Sequence, residues 1–386
     1  MVYKVIGIMS GSSLDGVDIA YVELQEQQVT QRQGSRSWGF AILQAKTEAY
    51  SAEWRRRLAG APGLSAREWL LLHAEYGRYL GERVNAFIEE YGLQFRVQLI
   101  ASHGHTSFHD PARRMTAQLG DGAAIAAATR INVVSDLRAM DVALGGQGAP
   151  IVPIGERLLL PGYDLYLNLG GIANISLQRD DRFLAFDVCP ANRVLNALAA
   201  DEGLEFDADG ALAAAGRVDA ALLERLNALP YYGEVYPKSL ANEFGTETVL
   251  PLVRAAGLST ADALRTYVEH IAAQIGRAVE RVAMGGAGAA TGAGDAGQTG
   301  VVGAGKMLVT GGGAHNGFLV DRLTERLAAS GVDVVVPEAV LVDYKEALVM
   351  ALIGVLRWRE ENNVLASVTG ASRDSIGGAV WIGQEA

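Results

Sequence analysis

Twice along this chain, an apolar run ends in a turn of small residues and a second apolar run follows at once. The first pair is Val5, Ile6 and Ile8, then Ile19 to Leu24, joined through GIMSGSSLDGVD at 7–18. The second is DLYLNL at 164–169 and the segment 172–178, joined through Gly170–Gly171. Apolar runs separated by glycine or serine clusters read as strand, tight turn and returning strand. Each opening leads into a comparable alternation of strands and helices. The repetition points to two like α/β halves; a single doubly wound sheet is the alternative.

The first half reads as strands near 3–9, 17–24 and 38–46, then a helix from Ser65. Ser65 and Glu68 make a capping box, and Leu72, Tyr76, Leu80, Val84 and Phe87 recur at helical spacing. A buried strand at 97–102, an alanine-rich helix at 121–130 and a short strand at 132–135 follow. The second half has strands at 164–169, 172–178 and 183–188, with a helix beginning near Asn192. Its long helix follows Ser259, with Asp262 behind the cap and Leu264, Val268, Ile271, Ile275, Val279 and Val282 as the buried stripe. Strand 306–310 then runs into Gly311–Gly312–Gly313. Residues 285–305 are nearly all small and read as a mobile surface loop, having too little apolar surface to offset ordering entropy. The absence of a Gly-Lys-Ser/Thr ending argues against a phosphate loop there. The expected division is an N-terminal lobe of 1–133 plus 366–386 and a C-terminal lobe of 134–365.

Composition narrows the class. The 386 residues are 49% hydrophobic and carry a net charge of −11, enough core for two domains and no basic stripe for nucleic acid. A single cysteine, Cys189, excludes an internal disulfide and a cysteine-based zinc cluster. No run of apolar residues is long enough to span a membrane, and the N-terminus lacks a leader pattern. A cytoplasmic enzyme is the expectation.

The turns carry the chemistry. The first exposes backbone N–H groups and serine hydroxyls, which suit phosphate oxygens, and its aspartates suit a metal or a water. An ordinary hairpin turn is the other reading. Gly170–Gly171, ahead of Asn174, admit a ligand close to the backbone and read as a second phosphate clamp. Gly311–Gly313, with Ala314, His315 and Asn316, lie between a strand and an amphipathic helix, a setting that favours an anion or nucleotide. Two like halves with such turns would hold a nucleotide in a cleft between them, the architecture of actin, hexokinase and Hsp70.

Asp187 ends strand 183–188 in FDVCPANR. A strand-end carboxylate facing a cleft can serve as general base; the alternative is a cap for the helix that begins a few residues on. Cys189 has no evident partner base and reads as packing. His103, His105 and His109 follow strand 97–102 on what reads as a loop. Their spacing lacks the helical i, i+4 pairing of common zinc sites, so hydrogen bonding to a substrate from His103 or Thr106 is expected instead. In DLRAMDVALGGQGAPIVP at 136–153, Arg138 offers a planar fork for a carboxylate, or an ion pair with Asp141. Gln147 lies in its glycine-rich bend. Glu346, in DYKEALVMALIG, is either a helix-start charge or a carboxylate aimed into the cleft.

Taken in order, GIMSGSSLDGVD, SHGHT, DLRAMDVALGGQGAPIVP, NLGGIANIS, FDVCPAN, PKSLANEF, VTGGGAHN and DYKEAL resemble the motifs of the anhydro-N-acetylmuramic acid kinases. The resemblance implies two RNase H-like α/β lobes, with ATP and Mg²⁺ as cofactors. The implied substrate is 1,6-anhydro-N-acetylmuramic acid, opened by water at C1 while O6 takes the γ-phosphoryl group, within cell-wall recycling. It implies Asp187 as the base and Glu346 as the group that helps hold the water. Gly11, Ser12, Ser13, Leu14, Asp15, Gly16, Val17 and Asp18 fall on the first phosphate loop, with Asp15 organising Mg²⁺. Gly170, Gly171, Asn174, Gly311, Gly312, Gly313 and Asn316 would complete the nucleotide site, and His103, Thr106, Arg138 and Gln147 the sugar site. A homodimer is implied too, without an interface signature in the sequence. Departures from the pattern are Ser12 for threonine, His105 for glutamine, Val188–Cys189 and Ala191 beside the base, and Asn242 for arginine. They bear on the sugar more than on the nucleotide. A kinase for another anhydro-sugar and a non-catalytic ATP-binding protein are the competing readings.

Overall fold

Four consecutive buried residues, Val5 to Ile8, make β1 (Val2–Met9) a strand covered on both faces, as a central strand must be. The computed structural model describes residues 1–11, 13–27, 37–179, 182–234, 238–241, 243–283 and 305–383. The chain divides into two compact units. One is Met1–Pro161 with Asp180–Phe183 and Tyr344–Ala386; the other is Gly162–Arg179 with Leu184–Asp343.

In the first unit, β1 pairs antiparallel with β2 (Gly16–Gln27), which pairs antiparallel with β3 (Ser37–Ala49). On its other side β1 runs parallel to β4 (Leu99–Ser102). A hairpin of β5 (His105–Asp110) and β6 (Met115–Leu119) stands apart, and β7 (Val133–Ser135) runs parallel to β4. The HxHxxxH segment expected as a loop is thus largely a strand, because β6 supplies the partner that its sequence alone does not reveal. The capping box at Ser65 opens helix Ala66–Glu90, whose stripe from Leu72 to Phe87 is buried against Ile6, Ile100 and Ile125. Asp121 caps helix Gly122–Thr129 through the Ala123 N–H.

The second unit repeats the plan. β8 (Leu165–Leu169) pairs antiparallel with β9 (Ile172–Arg179), and β10 (Arg182–Pro190) lies beyond it. β8 also runs parallel to β11 (Gly305–Thr310), which runs parallel to β12 (Val332–Val335). The first sheet is completed by β13 (Ala379–Trp381), antiparallel to β7. Numbering strands within each sheet, both sheets place the third, second, first, fourth and fifth in that spatial order. The chain is therefore an α/β protein with two like mixed sheets. Of the segment expected as a loop at 285–305, residues 285–304 lie outside the described residues, and Gly305 opens β11.

The division differs from the expected boundaries, since 134–161 and 344–365 pack in the first unit. A glycine explains part of this. Helix Ala339–Trp358 lies against β1 at Gly7, where a Cβ would overlap the Ala347 carbonyl oxygen and come within 3.0 Å of the Ala351 nitrogen. Replacing Gly7 with Ala is expected to push the helix off β1, at a cost of about 1–3 kcal/mol for overpacking. A lowered denaturation midpoint would register it; an unchanged midpoint would show that the contact yields freely. Among the described residues, no helix is long and apolar enough to cross a membrane.

Candidate active site

In the first unit the site residues collect at the ends of β1, β4 and β7 and on helix Ala339–Trp358. The turn from Ser10 to Asp15 links β1 to β2. Leu14 adopts a left-handed conformation at φ 62°, costly for a branched side chain and retained where surroundings over-determine it. Gly11, Ser13, Leu14 and Asp15 lie in this turn, with Ser13 and Asp15 exposed, while Gly16, Val17 and Asp18 already belong to β2. Ser12 lies outside the described residues. Val17 is fully buried, so it offers a ligand only its backbone. Thr47 Oγ1 donates to Asp18 Oδ1 at 2.6 Å and orients that carboxylate. Among the described residues, no three His, Cys, Asp or Glu side chains are grouped as a metal cage. The oxygen donors of Asp15 and Asp18 instead suit an ion held by one or two carboxylates plus phosphates, the usual manner of Mg²⁺.

His103 and Arg138 meet directly. Arg138 Nε donates to His103 Nε2 at 2.7 Å, and Nη1 donates to the Gly148 carbonyl at 2.7 Å. His103 Nδ1 lies 2.8 Å from the Gly104 carbonyl, so Nδ1 carries the proton and Nε2 accepts. Both ring nitrogens are engaged, and the hydrogen bond expected from His103 to a substrate has no atom left to make it. Burial and the nearby guanidinium push His103 down to about 3. Arg138 does not pair with Asp141, the ion pair considered from sequence. Asp141 is fully buried and accepts from the Gly148 N–H and from Thr369 Oγ1, both at 2.7 Å, which shapes the glycine bend. Burial pushes Arg138 down to about 10, opposed by Glu346 and Asp141, and it remains charged at neutral pH. Gln147 and Thr106 are exposed; the Gln147 N–H bonds the Thr369 carbonyl, and Thr106 Oγ1 accepts from Gln118 Nε2.

Glu346 is not a helix-start charge, because its helix begins at Ala339. Burial raises its carboxyl above the ordinary range, opposed by Lys345 and Arg138. Lys345 points the other way, into a buried ion pair with Glu156 at 2.8 Å. Sequence reading passed over that pair, since helix 153–159 offers no signal of which lysine it meets.

In the second unit Asp187 does not cap helix Asn192–Ala199; Ala191 holds the cap position without a side-chain bond. Instead the Leu240 N–H donates to Asp187 Oδ2 at 2.8 Å, and the Asp187 N–H donates to the Lys238 carbonyl at 3.1 Å. Tyr231 Oη donates to the Asp187 carbonyl at 2.8 Å. Burial raises the Asp187 carboxyl, and the Leu240 N–H pulls it back. No described residue donates to Oδ1. The stretch 238–240 and Tyr231 were missed as partners of Asp187, because they return to it from 53 and 44 residues away. Asn242 lies outside the described residues, as do 235–237. Cys189 is fully buried in the core.

The second unit's glycine turns meet one another. The Gly170 and Gly171 carbonyls accept from the Asn192 and Ala191 N–H groups at 3.1 and 2.8 Å. Gly311 has φ 82°, and a Cβ there would overlap Asn168 Oδ1; a Cβ at Gly313 would press on Leu169 and Asn192. Asn174 pairs with Asn168 across β8 and β9. The three glycines do not run straight into a helix. Gly312–His315 form a short 3₁₀ turn, and Asn316 Oδ1 then caps helix Gly317–Ala328 by accepting the Leu319 N–H at 2.9 Å. Asn168 and Asn192 were not anticipated; Asn168, two residues before Gly170, offered a signal in the sequence, and Asn192 reaches the turn only through the fold.

The buried histidines set an acid response. His103 at about 3, His105 at about 4 and His270 at about 3 are all depressed chiefly by burial, from an ordinary 6.5. Below pH 6.5 the unfolded chain takes up protons that these folded groups refuse, so their stabilisation is present above 6.5 and lost as pH falls toward 3–4. Each group contributes a slope of up to about 1.4 kcal/mol per pH unit. The raised carboxyls of Asp187 and Glu346 act with the opposite sign. A urea midpoint that falls as pH is lowered from 6.5 is the expected result; a flat or rising midpoint would contradict the burial.

Comparison with known proteins identifies the family. Residues 3–383 match the family described as Anhydro-N-acetylmuramic acid kinase. An anhydro-N-acetylmuramic acid kinase of Xanthomonas oryzae pv. oryzae is 35% identical, covering 97% of this chain and 96% of that protein. The enzyme of that name from Xanthomonas axonopodis pv. citri is 34% identical, with 97% of each chain covered. Among solved structures, the activator of the 2-hydroxyisocaproyl-CoA dehydratase from Clostridium difficile with bound ADPNP aligns over 93% of this chain and 96% of its own, at 12% identity and a TM-score of 0.44. The match along nearly the whole length shows that this chain belongs to the anhydro-N-acetylmuramic acid kinase family, and so to the phosphotransferases.

Proposed function

We propose that the protein uses ATP and water to convert 1,6-anhydro-N-acetylmuramic acid into N-acetylmuramic acid 6-phosphate and ADP, a step of cell-wall recycling carried out in the cytoplasm. The observation that carries the reading is Asp187, held by one carboxylate oxygen at the Leu240 N–H while the other has no donor among the described residues. That oxygen takes the proton of the attacking water. The water oxygen bonds to C1, the C1–O6 bond breaks, and O6 bonds to the γ-phosphorus as ADP leaves. Water is a weak nucleophile, so a base with a raised pKa matches the task.

Glu346 helps hold the water, and Arg138, braced by His103 and Gly148, presents its remaining nitrogen, Nη2, to the sugar's carboxylate. Thr106 and Gln147 supply hydrogen bonds to the sugar. Backbone groups of Gly11, Ser12, Ser13, Leu14, Gly16 and Val17, with those of Gly170, Gly171 and Gly311–Gly313, hold the nucleotide; Asn174 and Asn316 lie beside them. Mg²⁺, held by Asp15 with support from Asp18, would neutralise phosphate charge. The protein acts as a homodimer.

A panel of anhydro-sugars with ATP and Mg²⁺, scored by ADP release, tests the reading. Release with anhydro-N-acetylmuramic acid is expected. Release only with other sugars, or none despite ATP binding, would reject it.

A further inference from the structure

We propose that Tyr50 is a positioning residue that holds the nucleotide turn 10–15 in shape by gripping both of its ends. Tyr50 directly follows β3, whose last residue, Ala49, pairs with Gly16 at the start of β2. This register carries the ladder one step further, and the Tyr50 N–H donates to the Asp15 carbonyl at 3.1 Å. The side chain passes beneath the turn to its other end, where Tyr50 Oη and Ser10 Oγ share a hydrogen bond of 2.7 Å. One residue thus ties the exit of β1 to the entry of β2.

The grip is braced from behind. Tyr76 Oη hydrogen-bonds Tyr50 Oη, and Ser10 Oγ lies 3.1 Å from His105 Nδ1. Tyr76, Tyr50, Ser10 and His105 are between 0% and 5% exposed, so the chain of four polar groups is sealed from water. Its three hydrogen bonds all run one way, either from Tyr76 through Tyr50 and Ser10 to Nδ1 of His105 or in the reverse direction from a protonated Nδ1. Fully satisfied buried networks rigidify what they join, whereas a broken one leaves several groups unpaired at once. Rigidity matters here because phosphoryl transfer relies on positioning, and Leu14 keeps a strained left-handed backbone within the gripped turn. His105 also gains a purpose, because it terminates the network.

The proposal rests on the reading of 10–15 as the nucleotide turn, and the test separates the two. In the full-length protein, Tyr50→Phe should raise the KM for ATP about 2- to 10-fold, the worth of one hydrogen bond, with little change in the KM for the sugar. Asp15→Asn serves as the reference variant within the turn. If Asp15→Asn weakens ATP and Tyr50→Phe does not, the positioning role fails while the nucleotide turn stands. If neither changes the KM for ATP, the turn is not the nucleotide site and both readings fail. A lowered melting temperature for Tyr50→Phe with both KM values unchanged would make the tyrosine purely structural and overturn the proposal. Should Tyr50→Phe not fold, His105→Gln and His105→Leu replace it. Glutamine can still accept from Ser10 and should keep the KM for ATP near wild type, while leucine should raise it; equal values for the two would reject the network.

Discussion

Asp187→Asn is expected to lower kcat by about 10²- to 10⁴-fold, the usual worth of a positioned general base, with nucleotide affinity nearly unchanged. The substitution is close to isosteric. The asparagine carbonyl oxygen can still accept the Leu240 N–H, so the 238–240 stretch has no reason to leave β10. Only the capacity to take a proton disappears. Single-turnover ADP release alongside calorimetric ATP binding separates these effects, and near-normal product formation would reject Asp187 as the base. The wild-type pH profile gives a second check. Burial raises the Asp187 carboxyl, and the base must be ionised to act. Activity should therefore fall on acidification at a higher pH than an ordinary aspartate would give.

Lys345→Met should destabilise the first unit by about 3–5 kcal/mol, because it removes the cation that pairs with the buried Glu156 carboxylate. The two side chains are 3% and 4% exposed, so water cannot replace the lost partner. Pairing Lys345→Met with Glu156→Leu removes both charges and should recover most of the loss. Denaturation midpoints of the two single variants and the double variant would measure the coupling; a Lys345→Met protein as stable as wild type would refute it. The substitution also reaches the neighbouring residue. Lys345 lowers the Glu346 carboxyl, so its removal should raise that group further.

Much of the fold was legible in the sequence because it rests on local patterns. The stripe from Leu72 to Phe87 and the Ser65–Glu68 box specify a helix whatever surrounds them, and that helix forms. The Ser259 cap works likewise, its hydroxyl accepting the Asp262 N–H at 3.2 Å. The β5–β6 hairpin was less legible, since a short polar strand is defined by its partner more than by its own residues. The site was legible as a set of residue types. Asp187 could be singled out near the end of the strand expected at 183–188, which in the structure runs on to Pro190, but its alternative as a helix cap was settled by Leu240, which no local pattern connects to it. The same holds for Arg138, whose expected partner Asp141 turns instead to Gly148 and Thr369.

The sequence by itself determined the repeated strand–turn–strand openings, the helices with their caps, and the eight ordered motifs that mark the family, because periodicity and turn chemistry act over a few residues. The tertiary structure alone decided which atoms of those motifs remain available. His103 spends both ring nitrogens on Gly104 and Arg138, Asn316 spends its oxygen on a helix cap, and one Asp187 oxygen has no donor among the described residues. Hydrogen bonds between residues distant in sequence form only when the packed core brings the backbone together, so their direction cannot be read from spacing. The turn at 10–15 shows both contributions. Its glycine and serines are written in the chain, and the tyrosine that holds it arrives from the far end of β3.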